Sequence, residues 1–168
     1  MLRLRPLRPG DEAAFRAGHE LVAKTDAFTF GLGLTDDMRW DDYLDLLADH
    51  RAGRNLAAHL VPSTFLVADS GGEIVGRTSI RHEFNEFLRN EGGLIGYAVL
   101  PEHRRHGYAR EILRQSLVII RSLGVDRVLV TCTDDNVGSA RAIEACGGVL
   151  DPDEPYSSPS RMRRYWID

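Results

Sequence analysis

The sequence predicts one α/β (α+β) domain of about seven strands and about four helices. Three observations lead there. Segments with period-2 alternation or short continuous apolar runs recur along the whole chain. Stretches with helical spacing of apolar residues alternate with them, and Gly, Pro, Asn and Asp clusters separate the two kinds. A chain of 168 residues with 43% hydrophobic content buries one sizeable core and is short for two ordinary domains, so residues 1–168 are read as one.

The opening LRLRPLR alternates with period 2 and reads as a strand, placed at a sheet edge because Pro6 cannot donate to a ladder. After Pro9 and Gly10, Asp11 is the expected N-cap of a helix reaching about Lys24. A glycine-rich loop, TFGLGLTDD, leads to a second helix in which Trp40, Tyr43, Leu44 and Leu47 recur at helical spacing. TFLVAD and EIVGRTSI are strands joined through Ser70-Gly71-Gly72, a hairpin signal. A loop from His82 to Gly92 precedes GLIGYAVL, whose apolar run fits a central strand. Residues 107–123 form the clearest helix, with Ala109, Ile112, Leu113, Leu117, Ile120 and Leu123 in one stripe and Gly124 as its stop. VDRVLVTC is the next strand. Asn136 or Ser139 caps a helix through Cys146, Gly147 and Gly148 close it, and the loop DPDEPYSSPS separates two last short strands, the final one being MRRYWI.

Composition excludes several functions. The net charge is −4 and no run of Lys and Arg could track a phosphate backbone, which argues against nucleic acid as a partner. The N-terminal MLRLRPLRPGDEAAF lacks the apolar core of a secretory signal, and no segment approaches the roughly 20 apolar residues of a bilayer span. A cytoplasmic protein with no membrane partner is expected. Cys132 and Cys146 are too few for a disulfide framework and lack metal-ligand spacing, so no metal is expected.

The stretch PEHRRHGYAREIL, residues 101–113, crowds Arg104, Arg105 and His106 in front of Gly107, which opens a helix. A helix start offers unsatisfied N–H groups and the positive end of the macrodipole, and so attracts anions. Gly107 permits a positive φ and close backbone approach, while the arginines add directional, charge-assisted bonds. A di- or polyphosphate fits such a place. The chain has no GxxxxGK[ST] and no GxGxxG, which argues against a P-loop ATPase and a Rossmann dehydrogenase.

The pattern V-x-P-x-x-R-R-x-G-x-A, carried by Val99, Pro101, Arg104, Arg105, Gly107 and Ala109, resembles the acetyl-CoA pyrophosphate motif of the GNAT superfamily of N-acetyltransferases. DDNVGSARAIEACGG is similar to that superfamily's second motif, and the order of elements also matches. Within the superfamily, VGRTSIRHEFNEFLRNEGGLIGYAVLPEHRRHGYA resembles a subgroup of uncharacterised predicted acetyltransferases. The resemblance implies a mixed, mostly antiparallel sheet with acetyl-CoA between two splayed central strands. It implies an acetyl-CoA-dependent N-acetyltransferase acting on the primary amine of a small molecule by direct attack. Acetylation of a protein N-terminus or lysine, or a non-catalytic acyl-CoA-sensing domain, are the alternatives; a homodimer stays open.

By the same resemblance, backbone amides from Arg104 through Arg105, His106, Gly107, Tyr108 and Ala109 to Arg110 would hold the pyrophosphate, with Arg104, Arg105 or Arg110 on its outer oxygens. Tyr97 and Val99 would present backbone groups to the pantetheine arm, the Val99 N–H polarising the thioester carbonyl, and Asn136 would bond the same arm. One position departs from the pattern. Ile143 stands where many such enzymes have a tyrosine that protonates the leaving thiolate, with Ala140 and Gly147 beside it, so water or Tyr156 is left for that step.

Other residues have plainer readings. Cys132 fits a small buried hydrophobe better than a nucleophile. His82, His103 and His106 lie in loops, Asp134 and Asp135 precede a helix, and any of Glu83, Glu86 and Glu91 could serve as a base. Asp37, Asp41 and Asp45 share one helical face, either solvated or facing a polycationic amine.

Overall fold

The computed structural model describes residues 1–26 and 28–168. Strand β1 (Leu2–Arg5) is followed by a 3-10 turn (Pro9–Asp11), helix α1 (Glu12–Asp26) and helix α2 (Trp40–Ala52). β2 (Ser63–Ser70) and β3 (Glu73–Arg81) form the expected hairpin, and β4 (Ile95–Val99) leads through a 3-10 turn (Pro101–His103) to α3 (Tyr108–Ser122). β5 (Val128–Cys132), α4 (Val137–Ala145), β6 (Val149–Leu150) and β7 (Arg163–Ile167) complete the order.

The seven strands divide into two sheets, β1-β2-β3-β4 and β5-β7-β6, and every ladder in them is antiparallel. β1 is an edge strand, as Pro6 requires. The sheets touch where β4 begins: the Leu94 N–H donates to the Leu129 carbonyl at 2.7 Å. Gly93, at φ 64°, makes this approach possible, because a Cβ there would lie 2.8 Å from the Leu129 oxygen. Beyond that point no ladder joins β4 to β5 among the described residues, and a gap opens between them.

Helix α3 covers one face of the first sheet, burying Ile112 against Val99 and Ala68, while Leu113, Leu117 and Ile120 pack with Ile143, Val130 and Tyr165 around the second sheet. Ser116 interrupts this stripe with its hydroxyl satisfied, donating to the Ile112 carbonyl at 2.7 Å and lying 2.9 Å from Thr78 Oγ1, whose own hydroxyl can donate to it. Leu123 departs from the expected stripe: it lies past the last turn and is 47% exposed. The opposite face of the first sheet carries α1 and α2 over an aromatic cluster of Phe15, Phe30, Trp40, Tyr43 and Phe65.

Asp11 is not the cap of α1. It ends the preceding 3-10 turn, where its carboxylate accepts the Arg8 N–H at 2.7 Å and two guanidinium bonds from Arg5, at 2.6 and 3.0 Å. Arg5 Nε donates to Asp69 at 2.7 Å, so one buried arginine ties β1 to the β2–β3 hairpin and to the start of α1. The bonds from Arg5 hold both carboxyls below the usual carboxylate range. A depressed folded-state pKa contributes stability above the ordinary value near 3.9 that is lost as pH falls through the folded value. The melting temperature should therefore drop steeply below about pH 4. In Asp69→Asn the drop should be shallower, on a baseline about 3 kcal/mol less stable at pH 7 because Arg5 loses a buried partner.

The loop from 82 to 92 holds a π-helical turn (Leu88–Gly92) that the sequence reading leaves as loop. Asn85 accepts the Leu88 N–H at 2.8 Å, and Leu88 alone is buried in the turn. One apolar residue in a polar stretch has no periodicity to detect.

Candidate active site

The chain leaves β4 through Pro101–His103 and turns into α3 through two residues of left-handed backbone, Arg105 (φ 66°) and Gly107 (φ 80°). The Arg104 N–H is taken by the Pro101 carbonyl, and the Glu111 N–H by the Gly107 carbonyl. Among the described residues the amides between them, 105–110, have no backbone acceptor. Three belong to the first turn of α3, where a helix cannot supply one. A Cβ placed on Gly107 would meet nothing within 4 Å, so the space beside Gly107, within this row of donors, is open.

Arg105, His106 and Arg110 are exposed, while Tyr108 and Ala109 are half-buried. Among the described residues no carboxylate pairs with Arg105 or Arg110, which leaves both for an outside anion. Arg104 is differently engaged. Its guanidinium pairs with Asp26 at the end of α1, and its Nε donates to the Val99 carbonyl at 3.2 Å. The His106 Nδ1 lies 3.1 Å from the His103 carbonyl, and the Tyr108 hydroxyl lies 3.3 Å from Ser70 Oγ.

The gap between β4 and β5 opens beside this loop. The Leu100 N–H donates to the Val75 carbonyl of β3 at 3.0 Å. Backbone groups alternate along a strand, so the N–H groups of Tyr97 and Val99 point the other way, into the gap. The Tyr97 phenol crosses to α4 and lies 2.8 Å from Ser139 Oγ; burial pushes its pKa up, and it is fully protonated near neutral pH. Asn136 caps α4, its Oδ1 accepting the Ser139 N–H at 2.9 Å, and its amide NH2 has no partner among the described residues. These donors, the free amides and the two arginines suit the phosphates and amide-bearing arm of CoA.

Ile143 is fully buried, and a Cβ on Gly148 would come 2.4 Å from its side chain. That position belongs to the core and not to the gap. Tyr156 lies in the loop before β7, with its hydroxyl 3.5 Å from Asp134 Oδ1 and Arg161 stacked 4.9 Å from its ring centre. Asp134 also accepts Arg163 Nε at 2.7 Å, which holds its carboxyl below the ordinary range, so at neutral pH it is a paired carboxylate. Cys132 is a buried free thiol pushed up by burial. The His82 Nε2 lies 2.8 Å from Thr64 Oγ1, and burial lowers that imidazole's pKa. Glu91 accepts the Ser160 hydroxyl, while Glu83 and Glu86 are exposed. Asp37, Asp41 and Asp45 all face solvent, Asp37 accepting the Thr35 hydroxyl at 2.7 Å.

Two residues escape the sequence reading altogether. Arg77, 2% exposed, sits inside β3 with no carboxylate partner among the described residues; it donates to the carbonyls of Thr29 at 2.9 Å, Phe30 at 3.0 Å and Gly96 at 3.1 Å. Phe28 lies over its guanidinium at 5.0 Å. Burial, with nearby Arg81 as the second cause, lowers its pKa to about 9, so it stays charged at neutral pH. The signal was an arginine in the middle of EIVGRTSIR, a run that otherwise reads as a buried strand. Arg81, the last residue of β3, lays its Nη1 2.9 Å from where a Cβ of Gly96 would stand.

A two-part antiparallel sheet, parted beside a phosphate-ready helix start, defines a class of acetyl-CoA-binding transferase folds. The acetyltransferase (GNAT) domain family matches residues 1–149, and the chain belongs to that family. It is an acetyl-CoA-dependent acetyltransferase of the GNAT type. Among solved structures, an acetyltransferase from Agrobacterium tumefaciens superposes with a TM-score of 0.66 at 24% identity, over 99% of this chain and 90% of that one. The yncA protein of Salmonella typhimurium, solved with its cofactor acetyl-CoA, gives 0.65 at 15% identity, over 99% and 93%. A spermidine N-acetyltransferase from Vibrio cholerae, in complex with CoA and spermine, gives 0.63 at 20%, over 99% and 94%. No curated protein matches the chain. Among the described residues no helix is long and apolar enough to cross a membrane.

Proposed function

We propose that the chain, acting as one domain, transfers the acetyl group of acetyl-CoA to the primary amine of a small molecule by direct attack. The observation that carries this reading is the row of unpaired amides at 105–110 lying beside the gap into which the Val99 N–H points. Acetyl-CoA supplies the activated acetyl group. The amides and the Arg105 and Arg110 side chains hold its phosphates, and the amide NH2 of Asn136 bonds the arm that runs into the gap. The Val99 N–H donates to the thioester carbonyl oxygen, where negative charge grows as the amine attacks. The new C–N bond forms as the C–S bond breaks, water accepts the proton of the amine, and water or Tyr156 protonates the thiolate.

Thiol release from acetyl-CoA over a panel of primary amines tests the reading. Turnover with small amines is expected. CoA binding with no turnover on any amine would replace it with an acyl-CoA sensor, and turnover only on peptides would move it to a protein acetyltransferase. Tyr156→Phe is expected to lower kcat more than tenfold, about 1.4 kcal/mol, with acetyl-CoA affinity retained. Unchanged kcat across a pH series would leave water as the donor.

A further inference from the structure

Two guanidinium groups converge on one residue of β4. Arg77 Nη1 donates to the Gly96 carbonyl at 3.1 Å, and Arg81 Nη1 lies over the Gly96 Cα, 2.9 Å from the place of a Cβ. No other residue type fits position 96 with Arg81 so placed. Three of the five N–H donors of Arg77, one on each nitrogen, go to the carbonyls of Thr29, Phe30 and Gly96. Arg81 is only part-exposed, and among the described residues its guanidinium makes no hydrogen bond or ion pair. Two like charges held together without a counter-charge cost free energy, and an anion between them would relieve it.

Their position decides which anion. Gly96 alternates with Tyr97 along β4, and Tyr97 packs toward α3 and α4, so Gly96 and the two arginines lie on the opposite face. The helices α3 and α4 close the first face, and α1 and α2 cover the aromatic cluster of the second, where Gly96 and Arg81 lie outside that cluster. Gly96 is three residues before Val99, roughly 10 Å along a strand that rises about 3.3 Å per residue. A group bound at Gly96 is therefore within reach of an amine placed at the gap.

We infer that Arg81, backed by Arg77, binds a carboxylate carried by the acceptor, so that the favoured substrate is an amine bearing a carboxylate several bonds away, such as an ω-amino acid. This rests on the acetyl-transfer reading for the amine but not for the carboxylate site. A polyamine, cationic at both ends, is disfavoured here, and the solvent-facing Asp37, Asp41 and Asp45 do not redress the charge at Gly96.

The test compares 4-aminobutyrate and 6-aminohexanoate with their carboxamides and with putrescine, by thiol release and by calorimetric binding to the CoA-loaded protein. At least one carboxylate should exceed its own carboxamide tenfold or more in kcat/KM and in affinity. Arg81→Met should bring that ratio to within twofold of one, and Arg81→Lys should restore part of it. Equal values for acid and amide in the parent, or a preference that survives in Arg81→Met, overturn the inference. Carboxylate-selective binding lost in Arg81→Met, without turnover on any amine, would uphold the anion site while refuting acetyl transfer.

Discussion

Gly107→Val is expected to weaken CoA binding at least a hundredfold and to leave the protein folded. Gly107 sits at φ 80° and ψ 0°, a left-handed conformation that costs a side-chain-bearing residue about 1–2 kcal/mol and a β-branched one more. The surrounding packing adds no clash, since nothing lies within 4 Å of the added Cβ. The damage falls on the ligand, because the isopropyl group enters the space over the amides of residues 105–110. Gly124 supplies the control. It also has positive φ, at 86°, and open surroundings, but lies at the far end of α3. Gly124→Val should lose comparable stability in a thermal melt and keep its CoA affinity by calorimetry. Equal loss of CoA binding in both variants would show that strain, not occlusion, is responsible.

Arg77→Met is expected to destabilise the protein by about 3 kcal/mol, because three carbonyls lose their donor at about 1 kcal/mol or more each. Methionine keeps much of the apolar volume, so a cavity adds little. The lost bonds also release the Thr29–Phe30 segment from β3 and β4. Urea unfolding should report the stability loss, and steady-state kinetics should show the acceptor KM raised at least tenfold with acetyl-CoA affinity retained. A stability loss with an unchanged acceptor KM would make Arg77 a core residue and nothing more.

The row of free amides ahead of α3 was legible because it is local. Strand, turn, glycine and helix follow one another within a dozen residues, and the backbone conformation that frees the amides is written in Gly107 itself. The stripe of α3 was legible for the same reason, being a period within one segment. What was not legible depends on residues far apart. Asp11 looked like a cap because it precedes a helix, yet Arg5 and Asp69 decide where its carboxylate goes. Arg77 was hidden because its partners, Thr29, Phe30 and Gly96, are carbonyls, and any residue has one. Ile143 stands where the resemblance implies a tyrosine, and only the structure shows it buried against Gly148 in the core. The contact between the two sheets rests on a close approach at Gly93 that no pattern in β4 or β5 announces.

Among the described residues one backbone bond, from Leu94 to Leu129, fastens the edge of β4 to β5, like a zipper closed by one tooth. The remaining backbone groups on the facing edges were never meant for each other, and a visiting chain with amides of its own can finish the seam. Stability and occupancy are then the same quantity measured twice. Ligand at 100 times its dissociation constant adds about 2.7 kcal/mol, and hydrogen exchange at Tyr97 and Val99 should slow in step with it.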